Sequence, residues 1–159
     1  MARAGLTGLR IRTARADDLP ALLDLLEQLR DGATPGGPRE RAPEPVAAEA
    51  FARILADERR AFLVAEAADG SVVGTADVVI VPNLTHAARP LAYVENVVVD
   101  RERRGRGVGT ALMAECETRA LEAGAYKLQL LSGAARADAH RFYESMGYRQ
   151  SARGYRRYL

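Results

Sequence analysis

Hydrophobic and polar positions follow two rhythms along this chain, one of period 2 and one of period 3.6, and the switches between them mark its elements. Residues 9–13 alternate as a first strand. Asp17 then stands as an N-cap for a helix to about residue 30, with Leu19, Leu22, Leu23, Leu26 and Leu29 on its apolar face. Glycine and proline dominate residues 31–38, and Pro43 and Pro45 follow, which predicts a loop before helical periodicity resumes over 46–57. Residues 61–67 and 71–81, joined by Asp69-Gly70, read as a hairpin that Pro82-Asn83 ends. A second loop, 83–90, carries His86, and residues 91–99 return as a central strand. A helix over 108–123, capped by Gly124, leads to a strand over 127–131, parallel to the previous one by a right-handed crossover. A short helix over 138–146 stops at Gly147, and residues 148–159 are expected to give two last strands turning near Arg153-Gly154. The sum is a three-layer α/β domain around a mixed sheet of six or seven strands. Residues 1–8 read as a flexible N-terminus and 9–159 as a single domain.

Composition narrows the function classes. At 159 residues, with 48% hydrophobic and 28% charged positions, the chain reads as one soluble globular domain. A formal charge of +2 is too small to imply an acidic partner, and the predominance of arginine over the single lysine, Lys127, reads as coding bias. One cysteine, Cys116, excludes an internal disulfide framework and suits a reducing compartment. Its spacing with Val108, Leu112 and Ala120 makes it a packed thiol on a helix face. His86 and His140 are the only histidines, so no metal ligand set is expected. With no apolar run long enough for a membrane and no hydrophobic stretch in residues 1–8, the expected location is the cytoplasm.

The most informative stretch is Val97-Val98-Val99-Asp100-Arg101-Glu102-Arg103-Arg104-Gly105-Arg106-Gly107-Val108-Gly109-Thr110, a β-branched strand that enters a glycine-rich turn and opens a helix. Backbone N–H groups converging there, with the positive end of the helix dipole, make a cradle for phosphate. A triphosphatase loop would need Gly-Lys-Ser/Thr, which is absent. A dinucleotide fingerprint would need a third glycine where Thr110 stands. The arginines of 101–106 could be a solvated charge run or a nucleic-acid patch, but the basic and aromatic residues do not repeat over a wider surface. Arg104-x-x-Gly107-x-Gly109 does match the Q/R-x-x-G-x-G/A pattern of the GNAT superfamily of acyl-CoA-dependent N-acetyltransferases, which the chain resembles. A second family motif follows as Ala139-His140-Arg141-Phe142-Tyr143-Glu144-Ser145-Met146-Gly147-Tyr148. The opening Leu9-Arg10-Ile11-Arg12-Thr13-Ala14-Arg15-Ala16-Asp17-Asp18 is similar to the family's first strand and helix start.

The resemblance implies a sheet splayed between its two central parallel strands, 91–99 and 127–131, with the pantetheine arm of acetyl-CoA in the opening. Acetyl-CoA, as acyl-donor cosubstrate, would be held by Arg104, Gly105, Arg106, Gly107, Val108, Gly109 and Thr110, and by the backbone of Val97, Val98 and Val99. One N–H there would stabilise the thioester oxygen. Arg136, where many relatives carry asparagine, is a candidate cofactor contact. Tyr143 matches the tyrosine that reaches the sulfur as general acid, its alternative being a packed aromatic. Glu95, taken by alternation to share a face with Tyr93, Val97 and Val99, is either a general base acting through water or a buried carboxylate paired with arginine. Some branches carry their glutamate two residues earlier, where this chain has Tyr93. His140 reads as a surface residue rather than a catalyst, and the 31–38 loop as either a tolerated insertion or, by the resemblance, a wall of the acceptor pocket. The expected activity is direct, sequential acetyl transfer to a primary amine, with a small molecule favoured. The alternatives are a protein N-terminal or lysine acetyltransferase and a non-catalytic acyl-CoA-binding module. Expected partners are acetyl-CoA and the amine, without nucleic acid, membrane or metal, and a homodimer is allowed.

Overall fold

A computed structural model of the chain describes residues 7–29 and 41–159. Strands β1 (Arg10–Thr13), β2 (Arg60–Glu66), β3 (Val72–Val81) and β4 (Leu91–Val99) pair antiparallel in sequence order, and β4 pairs parallel with β5 (Leu128–Leu130), which makes a mixed five-stranded sheet. Helices α1 (Leu19–Glu27) and α2 (Glu44–Ala56) precede β2. A single turn, α3 (Thr85–Ala88), lies between β3 and β4, α4 (Val108–Glu122) carries the crossover to β5, and α5 (Ala137–Ser145) follows it. No helix among the described residues is long and apolar enough to cross a membrane.

The sheet separates two cores because side chains alternate across it. On one side Leu63, Ala65, Ala76, Val78, Ala92 and Val94 meet Leu112, Met113 and Cys116 of α4, with Phe142, Tyr143 and Met146 of α5 packed against them. On the other, Phe62 and Val64 meet Leu22 of α1 and Phe51 of α2, whose ring stands edge-on to Phe62 with centroids 5.7 Å apart.

Three expectations are corrected. Asp17 is not the helix cap. Residues Ala16–Asp18 form a 3-10 turn, Pro20 sits in the first turn of α1, and the buried Asp18 carboxylate accepts from Arg15 N–H at 2.6 Å. Both Asp18 oxygens also take Arg12, at 2.7 and 2.8 Å, which holds the carboxyl below its ordinary pKa. The 148–159 segment contains no strand, so the sheet has five strands rather than six or seven. Every residue from 149 onward is exposed, and a ladder there would have no apolar face to bury. The segment over 83–90 is an ordered turn rather than plain loop. His86, Ala87 and Ala88 all take left-handed backbone, at φ 53, 58 and 57°, and the His86 ring stacks on Tyr126 at 3.9 Å. The 31–38 loop and most of the 1–8 segment lie outside the described residues.

Candidate active site

β4 is paired unevenly. Ala92, Tyr93 and Val94 face Leu128, Gln129 and Leu130 of β5, and past Val94 no residue of β4 has a partner there. The two strands part at mid-sheet, which is the expected splay.

A bulge lies at the same point. Thr75 pairs with Val98 but Asp77 pairs with Glu95, so Ala76 alone opposes both Asn96 and Val97. Asn96 takes left-handed backbone at φ 53°. The extra residue reverses the alternation and corrects the expected face of Glu95. Val97 and Val99 pack into the core beneath α4 with Ala92 and Val94, whereas Glu95, opposite Asp77, faces the α1/α2 side with Tyr93. Glu95 is exposed. Its carboxylate and burial together push the Tyr93 phenol up, burial contributing most.

Beyond β4 the chain turns through Arg101–Arg103 into α4. Asp100 accepts from Glu102 N–H at 2.9 Å and from Gln28 Nε2 at 3.0 Å, and Gln28 Oε1 accepts from Arg101 N–H at 3.0 Å. Gln28 therefore moors the turn to the end of α1, a role that helix periodicity could not reveal. The Asp100 carboxyl is held low, chiefly by Gln28. Arg104 Nε donates to Val99 O at 3.0 Å, so this arginine closes the end of the strand. Arg106 lines a cavity of about 300 Å³ with Arg103, Leu9, Asp69 and Val108.

Gly107 caps α4 with φ 85°, a left-handed conformation that glycine adopts freely, and no side chain caps the helix. The first helical bond runs from Ala111 N–H to Gly107 O at 3.0 Å, so the N–H groups of Val108, Gly109 and Thr110 have no helical acceptor. Gly105 is also left-handed, at φ 71°. Gly109 serves packing. A β-carbon there would stand 3.2 Å from Phe142 Cζ, so the absence of a side chain lets α5 pack closely against the start of α4.

α5 packs Tyr143 against the core on the α4 side of the sheet. Its ring is half-buried between Phe142, 5.1 Å away, and Tyr148, 5.9 Å away, and its hydroxyl makes no hydrogen bond among the described residues. Burial raises the phenol pKa, Arg136 opposes that rise, and Cys116 and Glu95 add to it. Glu95 and Tyr143 lie on opposite faces of the sheet, and the carboxylate still adds to the rise of the phenol pKa. Arg136 precedes the first turn of α5, its N–H bonded to Gly133 O at 3.0 Å. His140, of intermediate exposure, is anchored where its Nε2 meets Gly133 O at 2.9 Å. Cys116 is fully buried and pushed up to about 12, which disqualifies it as a nucleophile. No cluster of metal ligands occurs among the described residues.

The profile of the Acetyltransferase (GNAT) family matches residues 23–148. The chain belongs to this family. A glucosamine 6-phosphate N-acetyltransferase of Trypanosoma brucei brucei is 32% identical over 149 residues, covering 91% of this chain and 92% of the relative. An aminoglycoside N(6')-acetyltransferase of Stenotrophomonas maltophilia is 30% identical, with 79% of each chain covered. A solved structure from Agrobacterium tumefaciens strain C58 shares 39% identity and superposes with a TM-score of 0.82, covering 94% of this chain and 99% of its own. The chain is therefore an acyltransferase of the N-acetylating kind, in a family whose acyl donor is acetyl-CoA.

Proposed function

We propose that this acetyltransferase moves an acetyl group from acetyl-CoA to a primary amine on a small molecule, by direct transfer where β4 and β5 separate. The observation that carries this reading is the unpaired side of β4 beyond Val94, which runs into a helix start with no side-chain cap. An extended, amide-bearing arm fits such a strand, and a pyrophosphate fits the cradle at its end. Ser132 Oγ, two residues past β5, is buried without a hydrogen-bond partner among the described residues, which suits a ligand with amide groups. Arg104, Gly105, Arg106, Gly107, Val108, Gly109 and Thr110 would hold the phosphates, and Val97, Val98 and Val99 the arm through their backbone. Arg136 would sit beside the sulfur end. The relatives named for amino sugars and aminoglycosides favour a small acceptor over a protein N-terminus or lysine.

The acyl donor supplies an activated acyl group as a thioester. An aliphatic ammonium, with pKa ~10.4, must first lose a proton. Glu95, exposed on the α1/α2 side, takes that proton through a water. As the nitrogen lone pair forms the C–N bond and the C–S bond breaks, a β4 backbone N–H donates to the carbonyl oxygen. Tyr143 gives its phenolic proton to the departing sulfur and regains one as the acylated nitrogen sheds its second proton.

A panel of amines, screened for acetyl-CoA-dependent thiol release, tests the reading, and an acetylated small amine is the expected product. With the best acceptor, Glu95→Gln is expected to lose turnover most at neutral and acidic pH and to recover partly as the solution itself deprotonates the amine. A uniform loss across pH with lowered thermal stability would instead make Glu95 a structural carboxylate.

A further inference from the structure

We propose that Asn96 is a positioning residue for acyl transfer, and that the buried Asp77, paired with the half-buried Arg60, holds it in the left-handed conformation on which the β4 bulge depends. The inference rests on the reading that β4 beyond Val94 receives the acyl donor.

Bulges of this left-handed kind normally place glycine at the extra residue. Asparagine is one of the few side chains that tolerate the conformation, and here it has a specific partner. Asn96 Nδ2 donates to Asp77 Oδ2 at 3.3 Å, across the β3–β4 ladder. Asp77 is 0% exposed in the middle of an apolar strand. Arg60 Nε donates to both of its oxygens, at 2.9 and 3.1 Å, and Arg60 Nη2 makes a close contact to Oδ2. A carboxylate gripped this way cannot rotate away from Asn96.

Stability alone does not account for the arrangement, because buried ion pairs contribute little over apolar residues of the same shape. What the clasp secures is register. Losing the extra residue would slip the second half of β4 by one position and exchange its faces. Val97 and Val99 would leave the α4 core, and Val99 would leave the start of α4, where it stands 3.6 Å from the position of a Gly109 β-carbon. The backbone groups directed into the opening would exchange with those directed to β3, so the same β4 sequence would present a different set of donors to the acyl donor.

The test compares Asn96→Gly with Asn96→Val, measuring CoA affinity by calorimetry, turnover with an amine from the panel, and thermal stability. Glycine takes positive φ freely, so Asn96→Gly is expected to keep CoA affinity and kcat within about threefold. A β-branched residue resists that backbone, so Asn96→Val is expected to weaken CoA binding and lower kcat by roughly tenfold or more. Asp77→Asn is expected to lower kcat several-fold in the native background and to add nothing in the Asn96→Gly background, as a residue acting through Asn96 must. Native affinity and kcat in Asn96→Val would overturn the proposal. So would equal losses from Asp77→Asn in both backgrounds, or an Asn96→Gly loss as deep as that of Asn96→Val. Absence of CoA binding by the unmodified chain would overturn the donor-site reading itself, whereas native CoA binding with indifferent Asn96 variants would sink only this inference.

Discussion

The two halves of β4 are neighbours in sequence and have little else in common. Residues 92–94 are bonded to β3 on one side and β5 on the other, with Ala92 and Val94 at 0% and 1% exposure. Residues 95–99 keep only the β3 side, begin with an exposed glutamate, and pass through a left-handed asparagine. The first half is paired on both sides from Ala92 to Val94, so its part is to hold the sheet. The second half has backbone groups to offer, and the residues that could do chemistry gather around it. A single sheet thus combines a stretch paired on both sides with an open edge, by withdrawing one partner strand after three paired residues.

If the division is right, changes around the second half should alter the reaction without altering the fold. The largest effect is expected from Tyr143→Phe, which keeps the ring and removes only the proton donor. Turnover should fall by roughly 10², about 2.7 kcal/mol of barrier, with CoA affinity little changed. Burial holds this phenol above the ordinary tyrosine value of 10.0, so in the native protein it stays protonated throughout the neutral and mildly alkaline range. Near-normal turnover of Tyr143→Phe, under conditions where chemistry limits the rate, would break the assignment. Next comes Gly107→Asp. The new carboxylate would claim the free N–H groups of α4 for itself and repel a phosphate, while its left-handed backbone costs about 1 kcal/mol. CoA binding should weaken by roughly tenfold or more in calorimetry, and unchanged affinity would remove the cradle from the site. The smallest effect on the site is expected from Val94→Ala in the first half. Denaturant unfolding should show about 2 kcal/mol of lost stability, with CoA affinity of the folded protein untouched. A parallel loss of affinity would mean that the halves are not separable.

The same division explains what was legible in the sequence. Periodicity found the elements of the sheet because each strand has a buried face, and the cradle was readable because glycine spacing is itself a backbone statement. The bulge was hidden by the assumption of strict alternation, which put Glu95 on the face of Val97 and Val99. Asn96 was the available signal, since asparagine is disfavoured within strands and tolerant of positive φ. Asp77 could have been found by the argument applied to Glu95, a lone carboxylate in an apolar strand, with Arg60 across the hairpin as its partner. The absent final strands went the other way. In the 148–159 segment Tyr155 is 89% exposed and Tyr158 45%, so strands expected there would have no core to pack on.

The depth of Cys116 has a practical side. A thiol under the sheet, fully covered and held protonated far above neutral pH, is out of reach of chromogenic disulfide reagents. Mixed with the folded protein and its substrates, such a reagent would colour only with coenzyme set free by turnover, against a silent background from the protein. Heat or urea would then unmask one equivalent of sulfur per chain, so a single dye could count catalysis while the fold persists and count unfolded molecules once it fails.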